Sequence, residues 1–526
     1  MDKTNIFSSL PKKILKFFLI CFIFVALYDC RKVSAASDIR VGLEKLYSGK
    51  DIITIYNSSL KIGYCVKDSF HSELLLKSKN GFTFETVNSD YYGEDRYYSS
   101  YSAAYKALQN YILDGDEPEM ALCGQKKWRL YFKKNKLKNN TKLEKVNAPE
   151  LIRLSFGSKK ILINASEPGA YPQFKAASGD GLIQMGSRKY RGRIEIGKYG
   201  KSSLSAVNIV NIESYLKGVV TCEMNSSWEP EALKAQAVCA RSYAVAKCGF
   251  KADSSIKSPY VINDTDASQV YGGADKETAA AINAVNNTTG KILYSNGKPL
   301  PAYYSSTSGG ATEFSSDIWG SNSYNFTGVF DEYETSPEQK PWTVSYTFDE
   351  FYNLLISKGY SIGKNITDIY PEVISGSERV SRLKIKYNGG SISIDGSKLR
   401  SLFKLPSTKF KTVLNTSEEL YRISVISSEN ETEEQATDAL YVISADGKTG
   451  KITDGTDQLI IISDNNMTNY PIEKSPQNYI SFIGMGSGHG IGLSQSGANG
   501  MASKGFNYEE IINYYFKNVQ IKGFNQ

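Results

Sequence analysis

EALKAQAVCARSYAVAKC, residues 231–248, is the stretch that decides the architecture of this chain. Apolar or small side chains fall on nearly every side of the helix that it predicts, and a helix that is apolar all round is buried. The exception is Arg241, and the side chains three and four places from it are Ala237, Val238, Ala244 and Val245. A cation among apolar side chains needs a partner, because an unpaired buried charge is costly.

The other informative polar residues of this helix are Gln236 and Tyr243, which are seven places apart and share one face, with Arg241 on an adjoining face. Glu223 stands just before the helix, directly after the apolar stretch 219–222. One interpretation is structural: Arg241 is a core arginine paired with an acid, and Glu223 caps the helix. The other interpretation is that these polar side chains face a functional site, because buried polar groups need partners.

A second motif, GMGSGHGIGLSQSGANG, covers residues 484–500. Its glycines let the backbone approach another group closely. His489 is the only histidine of the C-terminal half, and Ser494 and Gln495 are small hydrogen-bonding residues at a predicted helix start. A packed glycine-rich turn is the alternative interpretation.

Composition limits the function classes. The chain has 526 residues and a net charge of +7, and its first 36 residues hold six Lys/Arg and two acids, which leaves +3 for the rest. This charge is too small to indicate nucleic-acid binding. Five cysteines at irregular spacing form no disulfide framework, and neither histidine lies near a cysteine pair at the spacing of a zinc site. We therefore predict no metal and no cofactor.

Residues 1–36 resemble a secretory signal. Three lysines precede the apolar run 17–28, and the small residues 34–36 offer a cleavage point. This pattern predicts a protein that is secreted to the cell wall or to the outer face of the membrane. An uncleaved membrane anchor through residues 17–28 is the alternative.

The predicted fold class is α+β, with a β-rich catalytic region that contains a few buried helices and a small α/β domain before it. The small domain covers residues 37–135, and its helix, YSSYSAAYKAL at 98–108, resembles a SPOR-like wall-binding unit. A Lys/Asn-rich linker at 136–149 leads to the catalytic domain at 150–526. An exposed acidic insertion is predicted near 415–475.

Several motifs in order resemble the stage II sporulation protein D and amidase-enhancer family. They are YLKGVV (215–220), EM (223–224), EALKAQAVCARSY (231–243), STSGGAT (306–312), SGSERVSRL (375–383), SKLRSLFKLPSTKF (397–410) and GHGIGLSQSGANGMASKG (488–505). This resemblance implies a lytic transglycosylase that cuts the MurNAc–GlcNAc bond of peptide-free peptidoglycan strands and leaves 1,6-anhydro-MurNAc ends.

The resemblance places the catalytic acid/base of the family on Glu223 and its cleft arginine on Arg241. We therefore expect the head of Arg241 to emerge at a cleft floor beside Glu223 and to contact substrate. Predicted to bind substrate together with Arg241 are Gln236, Tyr243, His489, Ser494 and Gln495.

The chain departs from the family pattern in two places. Ser305 and Ser306 stand where many members have His-Ser, and the local cysteines that some members use for zinc are absent. Two other functions stay open: a non-catalytic enhancer of a cell-wall amidase, and a glycan-binding wall protein. The predicted partners are peptidoglycan strands and, if the protein is an enhancer, an amidase.

Overall fold

The structure is a computed structural model of the 526-residue chain. It describes residues 38–66, 69–133, 143–146, 151–165, 171–199, 201–248, 258–314, 326–334, 340–374, 376–415 and 479–524, and the backbone alone of six strands between 421 and 471. The predicted signal or anchor at 1–36 lies outside the described residues. Among the described helices, none is long and apolar enough to cross a membrane.

The described part of the chain is α+β, as predicted, with many strands and nine α-helices. In chain order the helices are α1 (Glu44–Tyr47), α2 (Tyr101–Leu113), α3 (Ile212–Glu223), α4 (Pro230–Cys248), α5 (Ala279–Asn287), α6 (Phe348–Ser357), α7 (Gly396–Phe403), α8 (Gln495–Ser503) and α9 (Tyr508–Tyr515). The chain divides into two compact units. The first comprises residues 1–223, 244–282 and 524–526, and the second 224–243 and 283–523.

The first unit contains two large sheets. The seven-stranded sheet has the order Ile262–Asn263, Asp38–Gly42, Ser205–Asn211, Arg193–Gly197, Gln173–Ala176, Ser59–Val66 and Ser69–Lys77. The ten-stranded sheet has the order Arg188–Tyr190, Ile183–Met185, Ile52–Ile55, Phe82–Thr86, Leu151–Phe156, Lys159–Asn164, Glu119–Leu122, Trp128–Lys133, Tyr91–Glu94 and Leu143–Val146. Alternating burial along Ile183–Met185 and Leu151–Phe156 marks the faces that pack on the core.

The predicted boundary near residue 150 does not separate these sheets. Asp38–Gly42 pairs antiparallel with Ser205–Asn211, and Phe82–Thr86 pairs with Leu151–Phe156. The predicted linker contributes Leu143–Val146, an edge strand beside Tyr91–Glu94. Strands from residues 38–146 therefore share both sheets with strands from residues 151–211, whereas a separate domain would pair within itself. The wall-binding role predicted for residues 37–135 stays a prediction.

The second unit is built from smaller sheets around its helices. Its strands are grouped as Lys298–Pro299, Lys291–Ser295 and Gln520–Gly523; Tyr304–Ser305 and Leu493–Ser494; Trp342–Thr347, Tyr479–Gly484 and Phe410–Asn415; and Ile366–Val373, Val380–Tyr387 and Gly390–Asp395. One apolar core joins α6, α7 and the last two of these sheets, with Phe351, Phe403 and Phe482 at its centre. The rings of Phe351 and Phe403 stack with centroids 5.1 Å apart.

The region of the predicted acidic insertion forms three hairpins. Their strand pairs are Tyr421–Ile426 with Thr432–Thr437, Tyr441–Ile443 with Thr449–Lys451, and Gln458–Ser463 with Asn466–Pro471. The side chains of these strands lie outside the described part of the structure, so the exposure of the acidic residues stays a prediction.

Local sequence signals explain where several helices begin. Ser100 caps α2 by accepting a hydrogen bond of 3.2 Å from the Ala103 N–H. Thr347 and Glu350 form a capping box at the start of α6, and Asn507 and Glu510 form another at the start of α9. Pro230 occupies the first position of α4, where its missing N–H has no intrahelical partner to lose.

Candidate functional site

Glu223 is the last residue of α3, and its side chain is half-buried. The Val270 N–H donates a hydrogen bond of 2.7 Å to Glu223 Oε1. The carboxyl group is therefore neither sealed in the interior nor fully exposed to solvent, and one of its oxygens has a fixed position. This is the geometry that a general acid/base requires, since a positioned group transfers protons more efficiently.

The segment 264–273 holds Glu223 in place by packing on α3. Tyr215 of α3 donates a hydrogen bond of 3.2 Å to Gln269 Oε1, and the Tyr271 hydroxyl donates one of 3.0 Å to Asn208 Oδ1. Gly218 allows the close approach, because a Cβ there would lie 2.7 Å from the Gly273 carbonyl oxygen. The loop is thus fixed on both sides of Val270.

Sequence reasoning missed two cations in this part of the first unit. Burial, and then the Glu223 carboxylate, raise the pKa of the Cys222 thiol, while Lys276 and Arg188 act in the opposite direction. Lys276 is exposed, and the Arg188 side chain is 20% exposed. These residues come from segments far apart in sequence and carry no motif, so no local signal could have identified them.

A buried acid stands next to Arg188. Asp264 accepts a hydrogen bond of 2.9 Å from the Lys45 N–H, and its Oδ2 lies 3.9 Å from Arg188 Nη1. Burial raises the pKa of the Asp264 carboxyl, against the opposing effects of these partners. Neither Arg188 Nη1 nor Asp264 Oδ2 makes a hydrogen bond within the described part of the chain.

The position of the Arg241 side chain differs from the predicted one. It is 1% exposed, so its guanidinium does not emerge at a cleft floor. Among its partners are two backbone carbonyls, Lys291 O at 3.1 Å and Val285 O at 3.3 Å. Val285 belongs to the last turn of α5, where a cation is favourable, and its carbonyl also accepts from the Thr288 N–H at 3.2 Å. The helix tolerates this charge because backbone oxygens accept its hydrogen bonds; a role in binding substrate stays a prediction.

The structure brings several of the other predicted substrate residues together in the second unit. Gln495 Nε2 donates a hydrogen bond of 3.4 Å to Gln236 Oε1, which joins α8 to the buried helix α4. The ring of Tyr303 lies between those of Tyr243, at 5.7 Å, and His489, at 6.0 Å. Gln236, Tyr243 and Gln495 are buried and His489 is half-buried. Their role in binding substrate stays a prediction.

His489 is neutral at physiological pH. Desolvation of the ring, with the charges of Arg400 and Arg379, lowers the pKa of its imidazole to about 3. Its Nδ1 accepts a hydrogen bond of 3.0 Å from the Ile491 N–H. His489 therefore acts as a hydrogen-bond acceptor within the glycine-rich loop, and it is not an acid near neutral pH.

Ser494 donates a hydrogen bond to the carboxylate of Glu334, a residue that the sequence motifs did not indicate. Glu334 accepts hydrogen bonds from Ser494 Oγ at 2.7 Å and from the backbone N–H groups of Ser308, Gly309 and Gly310. Gly309 and Gly310 have φ angles of +74° and +99°, which wrap the loop around the carboxylate. Glu334 thereby joins STSGGAT to the C-terminal motif, a contact that the spacing of the motifs does not indicate.

Arg379 and Asp331 are two further charged residues near the contact between Glu334 and the STSGG loop. Arg379 is fully buried and donates a hydrogen bond of 2.6 Å from Nη2 to the Ser308 carbonyl, and burial lowers the pKa of its guanidinium to about 10. A Cβ at Gly490 would lie 2.3 Å from Arg379 Cζ, so only glycine fits there. Burial, and then Glu334, raise the pKa of the Asp331 carboxyl to about 6.

No group of three or more His, Cys, Asp or Glu within the described residues is placed to hold a metal ion. The described cysteines, Cys65, Cys123, Cys222, Cys239 and Cys248, are all free thiols. The absence of a metal and a cofactor from the working protein stays a prediction.

Comparison with known proteins relates this site to a family. Residues 200–294 match the family model described as Stage II sporulation protein. An uncharacterized protein of Brachyspira hyodysenteriae is 27% identical over 365 residues, which cover 69% of this chain and 80% of that protein. Two Bacillus subtilis proteins are also similar. The Stage II sporulation protein D is 27% identical over 341 residues, which cover 62% of this chain and 79% of that protein. The Amidase enhancer is 28% identical over 319 residues, which cover 59% of this chain and 40% of that protein.

Proposed function

Because this chain belongs to the stage II sporulation protein D and amidase-enhancer family, as its motifs predicted, we propose that it remodels the cell wall as a lytic transglycosylase. Its substrate is the peptidoglycan glycan strand, and it cuts the MurNAc–GlcNAc bond. The observation that carries this proposal is the half-buried Glu223 carboxyl, positioned by the Val270 N–H.

A single carboxyl group is enough for this reaction. A hydrolytic glycosidase uses two, one as acid and one as base or nucleophile, because it must also activate water or form a covalent intermediate. In the proposed reaction the Glu223 proton passes to the glycosidic oxygen as the C1–O bond breaks. The 6-hydroxyl of the same sugar then attacks C1, and its proton returns to Glu223 as the 1,6-anhydro ring closes.

The surroundings of Glu223 suit a group that must both give and take a proton. The C-terminal end of α3 disfavours negative charge, which supports the acid step. The Val270 N–H donates to Oε1 and stabilises the carboxylate that this step leaves behind.

Glu223→Gln tests the proposal. Glutamine has the same shape but cannot transfer the proton, so release of anhydro products from peptide-free strands should fall by at least about 10²-fold. Glu213→Gln, at the other end of α3, is the matched control and should retain activity. Full product release by the Glu223 variant, with the fold intact by circular dichroism, would refute the assignment.

A second function has its own support, because one relative is an Amidase enhancer. In that role the protein would stimulate a cell-wall amidase without cleaving glycan. Adding purified protein to wall and amidase, with wild type and the Glu223 variant in parallel, separates the two functions. Stimulation that is equal for both proteins, with no anhydro product from the protein alone, favours the enhancer.

The proposed substrate places the protein outside the cytoplasm, either secreted or held at the outer face of the membrane through residues 17–28. Fractionation of cells that express the full chain tests this. Recovery in the cytoplasmic fraction would contradict the proposed location.

A further inference from the structure

Two cations near the end of α3, Lys276 and Arg188, have no role in the proposed reaction. Cys222, the residue before Glu223, has both Lys276 and Arg188 close enough to counteract the rise in its thiol pKa. The cation assigned to substrate from the sequence, Arg241, is buried at backbone carbonyls instead. Lys276 and Arg188 therefore remain as cations that a substrate group could contact.

Gly272 fixes the position of Lys276 relative to the end of α3. A Cβ on Gly272 would lie 2.4 Å from Lys276 Cγ and 2.8 Å from Cys222 Sγ. The lysine stem and the thiol therefore pack against the same glycine, and the Gly272 N–H in turn donates to the Gly218 carbonyl at 3.3 Å. Lys276 leaves this contact with an exposed side chain beside the last turn of the Glu223 helix.

Arg188 reaches the same region from the strand Arg188–Tyr190. The Lys189 N–H donates a hydrogen bond to Asp275 Oδ2, and a Cβ at Gly273 would lie 2.5 Å from the Lys189 carbonyl oxygen. The strand thus packs directly on residues 273–275, next to Lys276.

The acids nearest to Lys276 in the sequence have other partners. Glu277 is paired with Arg191 at 2.6 Å, and Asp275 accepts from the Lys189 N–H. Asp264 forms an ion pair with Arg188, with 3.9 Å between Oδ2 and Nη1, so the charge of Arg188 is partly matched. Lys276 forms no ion pair with any residue in the described ranges. A lysine held in this way is available to an anionic ligand.

We propose that Lys276, supported by Arg188, is a carboxylate-binding subsite beside Glu223, and that its ligand is the lactyl carboxylate of a muramoyl residue that has no stem peptide. This inference rests on the proposed function. In a glycan strand the sugars are neutral, and the lactyl group bears a free carboxylate only where no peptide is attached. A cation beside the acid/base that pairs with this carboxylate therefore favours peptide-free strands.

Binding to Glu223→Gln protein tests the subsite without turnover. The ligands are soluble peptide-free strands and the same strands with their lactyl carboxyls converted to methylamides. We expect Lys276→Gln, made in the Glu223→Gln background, to weaken binding of the charged strands by about three- to tenfold and to leave binding of the amidated strands unchanged. Lys276→Arg should restore most of the affinity, and Lys175→Gln, at an exposed lysine on another strand of the same unit, should change nothing.

The cleavage assay provides a second measurement, because the ratio of kcat/KM for charged and amidated strands should fall towards one in Lys276→Gln. Raised salt should reduce this ratio for wild type and not for the variant. If Lys276→Gln loses affinity equally for charged and amidated strands, Lys276 has a structural role and the subsite is wrong. The subsite is also wrong if the kcat/KM ratio of the two strands does not change in this variant. If Lys276→Gln instead loses affinity only for a phosphate polymer such as teichoic acid, the lactyl assignment is wrong.

These experiments distinguish failure of the Lys276 subsite from failure of the proposed catalytic reaction. If wild type releases no anhydro product but still prefers charged over amidated strands through Lys276, the subsite stands and the catalytic proposal falls. If product forms with equal rates on both strands, the catalytic proposal stands and the subsite falls.

Discussion

At the scale of single residues, three charged side chains differ in what satisfies them. Arg241 donates to backbone carbonyls at the end of α5, and Glu334 accepts from the backbone N–H groups of the STSGG loop. Glu223 keeps part of its surface exposed and accepts the Val270 N–H. Of these three, Glu223 combines a fixed position with access to solvent, which is why the proposed chemistry depends on it.

Arg241→Met tests whether this arginine is structural. The substitution keeps most of the apolar volume but removes the guanidinium hydrogen bonds to the Lys291 and Val285 carbonyls, so the free energy of unfolding should fall by about 1–3 kcal/mol. Urea denaturation measures it, with Arg241→Lys as the variant that retains the charge. Unchanged stability together with weakened glycan binding would restore the substrate role predicted from sequence.

Asp331 should make stability depend on pH. Its folded pKa of about 6 lies above the usual value of 3.8, so the folded state binds the proton more tightly and the contribution to stability is lost as pH rises from about 4 to 6. His489, with its pKa lowered to about 3, has the opposite slope, since folding becomes easier as pH rises towards 6.5.

Asp331→Asn separates the two effects. Asparagine retains an acceptor for the Tyr515 hydroxyl and removes the titration, so the stability of the variant relative to wild type should increase between pH 4 and pH 7 by up to about 3 kcal/mol. Urea denaturation at each pH gives the difference. A difference that stays constant across this range would contradict the raised pKa of Asp331.

At the scale of elements, α4 followed from local sequence, whereas α3 did not, because the sequence indicated only an apolar stretch at 219–222. The apolar pattern of residues 231–248 predicted α4, and the structure has Pro230–Cys248. The sequence of residues 379–396 also predicts a hairpin with NGG at 388–390 as its turn, and the structure pairs Val380–Tyr387 with Gly390–Asp395. In each case the determining signals lie within one segment. The contacts of Lys276 with Cys222 and of Glu334 with Ser494 could not be predicted, because they join segments whose relative placement no local pattern encodes.

Ser100 gives an element-scale test. Ser99 and Ser100 both have a side chain that can cap α2, and in the structure the cap is Ser100. Ser100→Ala should reduce stability by about 1 kcal/mol, because it removes the acceptor of the Ala103 N–H. Ser99→Ala is the matched control for chemical denaturation. If Ser99→Ala reduced stability more than Ser100→Ala, the cap of α2 would be Ser99.

At the scale of the whole molecule, the strand pairing connects the N-terminal segment to the part of the chain that carries Glu223. Asp38–Gly42 lies between Ser205–Asn211 and Ile262–Asn263, and the loop after Ile262–Asn263 supplies Val270 to the site. The sequence suggested a self-contained domain because its β–α–β pattern is local. Periodicity identifies strands but does not identify their partners.

Deletion of residues 37–149 tests this connection. Removing Asp38–Gly42 and Phe82–Thr86 leaves their partner strands with unpaired edges, so the remaining chain, 150–526, should not fold cooperatively or should aggregate. Circular dichroism and size-exclusion chromatography measure the outcome. A soluble, cooperatively folded fragment 150–526 would show that the N-terminal segment is an independent domain.

The measurement that tests the central claim most directly is mass analysis of the products formed from peptide-free glycan strands in heavy-oxygen water. The proposed reaction uses the 6-hydroxyl of the sugar, so wild type should release ends that are lighter by one water than hydrolytic products and that contain no heavy oxygen. The Glu223→Gln protein should release almost none of them. Products that carry heavy oxygen, or anhydro ends released equally by the Glu223 variant, would contradict the account.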